Sequence, residues 1–171
     1  MNTDKLVSIV MPVYNAKRFL QTSVASVSNQ TYQNIELIFV NDGSTDGSEI
    51  LCNQYAAADK RIKLVTQENS GPAAARNTGV RHASGDFICF LDADDLIDTQ
   101  AVEKLVRGYE KYKPDLVMSN FCKQESNGHI INQRVTFHPD ENPFTGEMQI
   151  LSKEHLLSFI RHFLKYPSNH L

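Results

Sequence analysis

Short apolar runs alternate with helical patterns from the start of the chain to about residue 120. Continuous apolar runs of about four to eight residues are typical of buried strands. Such strands are predicted at 6–13, 35–40, 61–66, 86–91 and 115–120. Helices are predicted between them at 16–29, 46–59, 72–85 and 99–113. This alternation predicts an α/β domain of Rossmann-like type, with a mostly parallel sheet and helices on both faces.

Three of the predicted helices carry recognisable start signals. Asp46 and Glu49 have the D-x-x-E spacing of a capping box. Pro72 stands where a first helical position is expected, and Thr99 is a candidate N-cap. We therefore expect helices to begin at these points.

The pattern changes after residue 120, so we expect an α/β domain over 1–120 and a different region over 121–171. Asn127 and Gly128 are a strong turn signal, which predicts a hairpin between strands at 120–123 and 130–137. A proline-containing loop is expected at 138–146. An amphipathic helix is then predicted from Ser152 to before Pro167, with its apolar face formed by Leu156, Ile160, Phe163 and Leu164.

Charge and composition exclude some classes of protein. The 171 residues carry a net charge of -3 and show no basic stripe, so a nucleic-acid partner is not expected. The segment Met1–Lys5 is polar, and no apolar run approaches the roughly 20 residues that a membrane-spanning helix needs. The three widely spaced cysteines suggest neither disulfides nor a zinc site, and buried thiols in a reducing cytoplasm are expected.

Polar clusters follow four of the predicted strands. Ligands of parallel sheets bind in the crevice beyond the carboxyl ends of the strands. The four clusters are Tyr14–Asn15, Asn41–Ser44, Glu68–Gly71 with the following Arg76 and Asn77, and Asp92–Asp95. Each cluster alone is weak evidence, but all four are expected at the same edge of the sheet.

The acidic cluster is the sharpest of these signals. Three carboxylates within four residues, Asp92, Asp94 and Asp95, repel one another unless a cation lies among them. Magnesium is commonly held by one or two carboxylates together with substrate phosphates, and manganese suits the same donors. The alternative is a solvated acidic loop ahead of the next helix, and spacing alone favours neither.

Two other residues have a functional and a structural interpretation. Arg76, early in a helix after a glycine-containing loop, could hold a phosphate, or it could pair with Glu68 or an aspartate. Asp42 could accept a hydrogen bond from a base or ribose, or it could form an Asx turn. Neither a P-loop motif nor a G-x-G-x-x-G motif occurs, which argues against a P-loop enzyme and a dinucleotide-binding domain.

Four segments in this order resemble the amino-terminal half of the family 2 inverting glycosyltransferases, which have the GT-A fold. They are VSIVMPVYNA, ELIFVNDGSTDGS, ENSGPAAARNTG and GDFICFLDADD, and the resemblance covers about residues 6–120. It implies that Pro12 and Tyr14 form a wall of the nucleobase pocket and that Asp42 hydrogen-bonds uracil. The segment implied to line the nucleotide site contains Gly71, Arg76 and Asn77.

The resemblance also implies a metal site and a reaction. Asp92, Ala93 and Asp94 match the DxD motif. Asp92 is implied to lie near the ribose and the metal's water shell, and Asp94 to ligate Mn²⁺ or Mg²⁺. An acceptor hydroxyl would attack the anomeric carbon of a nucleoside-diphosphate sugar, with inversion, while a carboxylate takes its proton.

The chain departs from the family pattern in one respect. The base of this family is the aspartate of a downstream E-D pair, and no such pair follows Asp98. We therefore expect the base beyond Leu171, in a truncated chain that is inactive alone. The implied partners are a UDP-sugar donor and a carbohydrate or lipid-linked glycan acceptor. The expected location is the cytoplasm, with peripheral contact at the inner face of the cell membrane.

Two other functions are compatible with an acidic site on a parallel sheet. A sugar-phosphate nucleotidyltransferase needs a glycine-rich, basic loop after the first strand, and Tyr14-Asn15-Ala16 does not match it. A non-catalytic binding module would show no metal-dependent affinity for nucleotides. Release of pyrophosphate from UTP and a sugar phosphate would identify the first, and calorimetry with UDP and Mn²⁺ tests the second.

Overall fold

The computed structural model describes residues 5–114, 117, 121–124 and 130–133. The chain divides into two units, residues 1–104 and 105–171. The strands are β1 (Val7–Val13), β2 (Ile35–Asp42), β3 (Ile62–Gln67), β4 (Phe87–Phe90), β5 (Phe121–Gln124) and β6 (Ile130–Gln133). The helices are α1 (Lys17–Ser28), α2 (Ser48–Ala58), α3 (Pro72–His82) and α4 (Ala101–Tyr112).

Strands β1 to β4 form one sheet in the order β3-β2-β1-β4, and every neighbouring pair is parallel. Val7 at the start of β1 is in register with Ile35 of β2 and with Phe87 of β4. Leu37 of β2 is in register with Ile62 of β3. The predicted α/β fold with a parallel sheet is confirmed.

The core lies around the two central strands, β1 and β2, which are buried along nearly their whole length. Helix α3 covers one face of the sheet, where Ala75 packs with Val10, Ile38 and Val40. The opposite face of β2 carries Phe39, whose ring contacts a tyrosine of α2 at a centroid distance of 6.4 Å. Strands covered on both faces carry apolar residues at most positions, which explains the nearly continuous apolar runs.

Helix α3 lies very close to β1 at one glycine. A Cβ built on Gly79 would lie 2.2 Å from Cγ1 of Val10. Only a residue without a side chain allows the helix to approach the strand to this distance. This contact fixes the position of the helix that carries Arg76 and Asn77.

The boundaries of β1 to α4 lie within three residues of the predicted ones, and the largest difference is at α3, which ends at His82. Strand β2 continues through Asn41 and Asp42, two residues beyond the predicted end. The capping box does not form, because α2 begins at Ser48 and the Glu49 carboxylate accepts a bond from Thr66.

The predicted cap of α4, Thr99, is wrong. An N-cap side chain accepts a bond from the second or third amide of its helix, here those of Ala101 and Val102. These amides donate instead to the Asp98 carbonyl and to Gln30 Oε1.

Strands β5 and β6 form an antiparallel hairpin, with Phe121 opposite Gln133 and Gln124 opposite Ile130. The predicted hairpin is therefore confirmed. The strand predicted at 115–120 falls outside the described residues, apart from Val117, which is not in a strand. The predicted loop at 138–146 and the helix from Ser152 also fall outside them.

A buried carboxylate joins the amino-terminal ends of the strands. Glu36 of β2 is 5% exposed and accepts bonds from the Ser8 hydroxyl (2.5 Å) and the Ser84 amide (2.6 Å). Lys63 of β3 approaches the same carboxylate at 2.7 Å, and the Gly85 amide donates to the Ser8 hydroxyl. Groups from β1, β2, β3 and the turn before β4 therefore meet at the Glu36 carboxylate. This carboxylate lies at the opposite end of the sheet from the acidic cluster.

Candidate functional site

The four polar clusters lie at one edge of the sheet, as expected for parallel strands. Tyr14 and Asn15 follow β1, and Asp42 is the last residue of β2. Residues 68–71 join β3 to α3, and residues 91–95 follow β4. The parallel pairing of all four strands places these clusters together beyond their carboxyl ends.

The loop after β1 presents an aromatic side chain and is held to the loop after β2. Tyr14 is 54% exposed, whereas Pro12 is half-buried within β1. Asn15 has a positive φ of 50°, a conformation that asparagine tolerates better than most residues. Its amide donates to the Ser44 hydroxyl and its side chain accepts from the Thr45 amide, so the two loops are joined.

Asp42 anchors the loop between β3 and α3. Its side chain is only 3% exposed in the folded chain and accepts bonds from Gln67 Nε2 (2.7 Å) and from the amides of Ser70 and Gly71 (both 2.9 Å). Each oxygen of a carboxylate can accept two bonds. Asp42 Oδ2, which accepts a bond from the Gly71 amide, can therefore accept one more hydrogen bond. The sequence did not predict the anchoring role, because it depends on a loop 28 residues further along the chain.

Helix α3 begins at this anchored loop. Gly71 precedes the helix with a φ of +85°, and Pro72 occupies the first turn as predicted. The backbone amides at the start of a helix attract anions because they lack partners within the helix. Arg76 lies one turn further on and is half-buried, whereas Asn77 is exposed.

Arg76 and Asp92, both predicted site residues, form an ion pair at 2.5 Å between Nη2 and Oδ1. Their side chains are 34% and 49% exposed, so the pair remains open to solvent. The pairing matches the structural alternative that the sequence left open, an arginine beside an aspartate. It also brings the candidate phosphate ligand next to the candidate metal ligands.

The acidic residues after β4 form a turn. The Asp95 amide donates to the Asp92 carbonyl at 3.0 Å, which leaves Ala93 and Asp94 at the two central positions. Ala93 is buried, whereas Asp94 is exposed. Partial desolvation raises the pKa of Asp95, and the negative charges of Asp94 and Asp92 raise it further. The carboxylates are therefore close enough to repel one another, with Arg76 as a neighbouring cation.

This donor set fits a nucleotide-bound metal ion better than an ion held by protein alone. Within the described part of the chain, no group of three or more histidine, cysteine or acidic residues has the geometry of a metal site. Two carboxylates are enough where phosphate oxygens and water complete the coordination of Mg²⁺ or Mn²⁺. Asp92 and Asp94, on a turn that carries excess negative charge, meet that requirement.

A set of polar residues that sequence reasoning missed holds the acidic turn against α1. The Ser23 hydroxyl donates to the Ala93 carbonyl at 2.7 Å, and the Ser26 hydroxyl accepts from the Ile97 amide. Gln30 Nε2 donates to the Asp98 carbonyl at 2.7 Å. The signal in the sequence was that serines, such as Ser23, stand beside buried apolar positions of α1. Without the fold, nothing indicates what such residues bond.

The fold and this site define the chain as an α/β domain of the GT-A type. A model of the family described as "Glycosyl transferase family 2" matches residues 8–166, and the chain belongs to that family. Glycosyltransferase GlyA of Streptococcus pneumoniae is 40% identical over 129 residues, which are 75% of this chain and 18% of GlyA. The chain spans half or less of the length of the curated relatives it matches.

Solved structures of glycosyltransferases are also similar to this chain, among them the following two. Residues 1–349 of S. aureus TarS in complex with UDP-GlcNAc give a TM-score of 0.60 at 24% identity, over 64% of this chain and 32% of that one. The mannosyltransferase PcManGT of Pyrobaculum calidifontis, in complex with GDP-Man and Mn²⁺, gives 0.54 at 26% identity, over 71% of this chain and 36% of that one. The first similarity concerns the fold alone.

Two further properties of the described residues bear on function. None of the helices in that part of the chain combines the length and the apolar character needed to cross a membrane. Cys52 and Cys89 are free thiols; Cys52 is buried as expected, whereas Cys89, at the edge strand β4, is only half-buried. Burial raises the pKa of Cys52 to about 12, so this thiol is protonated at neutral pH and cannot act as a nucleophile.

Proposed function

We propose that this chain binds a UDP-sugar at the carboxyl edge of its parallel sheet, as the donor domain of an inverting glycosyltransferase. Membership of the family supports glycosyl transfer in general. The observation that supports UDP-sugar binding at this edge is the Arg76–Asp92 ion pair beside the exposed Asp94. It puts a cation for phosphate and carboxylates for a metal ion within reach of one diphosphate.

The nucleobase is proposed to lie against Tyr14 and Pro12, with Asp42 as its hydrogen-bond acceptor. Tyr14 exposes a flat apolar ring on which a base can stack. The Asp42 carboxylate accepts bonds but cannot donate one when ionised, so it favours a base that presents an N–H group. Uracil has such a group. The solvent exposure of Tyr14 and the remaining acceptor position of Asp42 support this placement.

The diphosphate is proposed to lie between Gly71, Arg76, Asn77 and the turn of Asp92, Ala93 and Asp94. Asp94 would ligate Mn²⁺ or Mg²⁺ directly, and Asp92 would contact the ribose and the water shell of the ion. When bound, the ion neutralises charge on the departing nucleoside diphosphate. Arg76 then contributes a second positive charge to the phosphates.

The acceptor is proposed to be a hydroxyl of a carbohydrate or lipid-linked glycan, in the synthesis of a polysaccharide or cell-surface glycan. We place the transferred sugar among hexoses and N-acetylhexosamines, and the protein in the cytoplasm, in peripheral contact with the membrane. The UDP-GlcNAc bound by TarS is one such donor. A carboxylate in an E-D pair is the expected base, and the residues after Asp98 contain no such pair. We place donor binding in residues 1–120 and the beginning of an acceptor side in 121–171.

Calorimetry of UDP binding, with and without Mn²⁺, tests this proposal. Asp94→Asn and Asp98→Asn each remove one negative charge from the same segment without changing side-chain size. We expect wild type and Asp98→Asn to gain affinity for UDP when Mn²⁺ is added, and Asp94→Asn to lose most of that gain, about tenfold or more in Kd. Equal Mn²⁺-dependent gains in the two variants would refute the assignment of Asp94.

A further inference from the structure

One serine hydroxyl on α1 donates a hydrogen bond to a carbonyl outside its own helix. Serine and threonine hydroxyls in helices usually bond a carbonyl three or four residues earlier. Thr22 and Ser26 do so, at 2.9 Å to the Phe19 carbonyl and 2.7 Å to the Ser23 carbonyl. The Ser23 hydroxyl instead donates to the Ala93 carbonyl, 70 residues away, from a fully buried position.

The carbonyl that Ser23 holds belongs to the central peptide of the acidic turn. Ala93 and Asp94 are the middle residues of that turn, and the Asp95 amide closes it onto the Asp92 carbonyl. Turn types I and II differ in the orientation of this central peptide. The peptide also contains the amide of Asp94. A bond that fixes its plane therefore fixes the direction in which the Asp94 side chain leaves the backbone.

We propose that Ser23 is a positioning residue that orients Asp94 for the metal ion of the bound nucleotide sugar. The inference rests on the proposed function, since it takes Asp94 as the metal ligand. Ser23 does not contact the ligand; it acts through the Ala93 carbonyl. Asp94 is exposed, so packing around its side chain restricts it less than it would restrict a buried one. The fixed backbone of the turn is what limits its reach.

The chain offers a matched control at the other end of the same segment. Gln30 is 1% exposed, and its side chain donates to the Asp98 carbonyl and accepts from the Val102 amide at 3.0 Å. Like Ser23, it is a buried polar residue from the α1 region that bonds the backbone after β4. Unlike Ser23, it bonds no atom of the turn that carries Asp94.

The experiment compares Ser23→Ala with Gln30→Met. Calorimetry gives the Kd of UDP in EDTA and in Mn²⁺, and electron paramagnetic resonance counts the free Mn²⁺ in the same solutions. We expect Ser23→Ala to lower the Mn²⁺-dependent gain in UDP affinity about tenfold, as outer-shell substitutions do. Its Kd for UDP in EDTA should stay within about twofold of wild type, because the base contacts are unchanged.

Gln30→Met is expected to lower the melting temperature but to keep the wild-type Mn²⁺-dependent gain. A loss of that gain equal to the loss in Ser23→Ala would overturn the proposal, since any loosening of the segment would then have the same effect. If Ser23→Ala does not fold, Ser23→Cys is measured in its place. We expect it also to lose the Mn²⁺-dependent gain in UDP affinity, because S–H is a much weaker donor than O–H.

The outcomes separate this inference from the proposed function. A wild-type chain that gains no UDP affinity from Mn²⁺ contradicts both. A wild-type chain that gains affinity, with an equal gain in Ser23→Ala, contradicts only the role of Ser23.

Discussion

Replacement of Glu36 by alanine removes the acceptor that joins three strands and the turn before β4. The Ser8 hydroxyl and the Ser84 amide then lose the partner they reach at 2.5 and 2.6 Å. An unsatisfied buried donor costs about 1–3 kcal/mol, and the buried Ser8 hydroxyl carries this cost. Ser84 is exposed, so water can replace the partner of its amide at little cost, and we expect a total loss of about 1–3 kcal/mol. The Lys63 ion pair adds less than about 1 kcal/mol, because the lysine side chain is 46% exposed.

Urea unfolding at pH 7, followed by far-UV circular dichroism, measures this loss as a change in the free energy of unfolding. The matched variant is Lys63→Met, which removes the ion pair and leaves the bonds from the Ser8 hydroxyl and the Ser84 amide to Glu36 in place. We expect it to lose less than about 1 kcal/mol. The reasoning fails if Glu36→Ala loses less than Lys63→Met, because the ion pair rather than these hydrogen bonds would then hold the carboxylate.

The same carboxylate predicts a pH dependence. Burial by itself raises the pKa of Glu36, but hydrogen bonds from Lys63, Ser8 and the Ser84 amide outweigh it, and the net pKa lies below its ordinary value of 4.5. A carboxyl with a lowered pKa in the folded state stabilises the fold fully above its unfolded pKa. That stabilisation is lost as the pH falls through the lowered value. The stability advantage of wild type over Glu36→Gln should therefore be largest near pH 7 and shrink below about pH 4.5; an advantage that grows in acid would contradict this sign.

Two further substitutions test the packing of α3 and the charge at the site. Gly79→Ala puts a methyl group 2.2 Å from Val10 Cγ1, and we expect it to reduce the free energy of unfolding by about 1–3 kcal/mol; an unchanged melting temperature would refute the close approach. Arg76→Met leaves Asp92 without its cation, so we expect affinity for Mn²⁺ alone to rise about fivefold while affinity for UDP with Mn²⁺ falls. An affinity for UDP with Mn²⁺ that does not fall would contradict the contact between Arg76 and the diphosphate.

Much of the fold was predictable because the buried positions of each strand and helix appear in the sequence as a pattern of apolar residues. Strands β1 and β2 are covered on both faces, so their continuous apolar runs located them to within one or two residues. The two residues that the prediction missed, Asn41 and Asp42, are polar although they pair with β3. They end a strand at the carboxyl edge of the sheet, where we propose that the ligand binds. Polar side chains replace apolar ones there, so the hydrophobic pattern no longer indicates the strand. The failed capping box at Glu49 has a similar cause, since a tertiary bond to Thr66 replaced a local one.

The sequence alone determined the positions of β1 to β4, the helices between them and the types of side chain at each strand end, because the burial of each element leaves a hydrophobic pattern in consecutive residues. From these, the location of Asp92 and Asp94 at the carboxyl edge of a parallel sheet could be inferred. Only the tertiary structure decided which groups meet across long separations. The Arg76–Asp92 pair, the anchoring of the β3–α3 loop by Asp42 and the bond from Ser23 to Ala93 are of this kind. A hydroxyl or carboxylate accepts many partners, and its choice among them depends on which backbone groups the packed helices and strands bring within hydrogen-bonding distance.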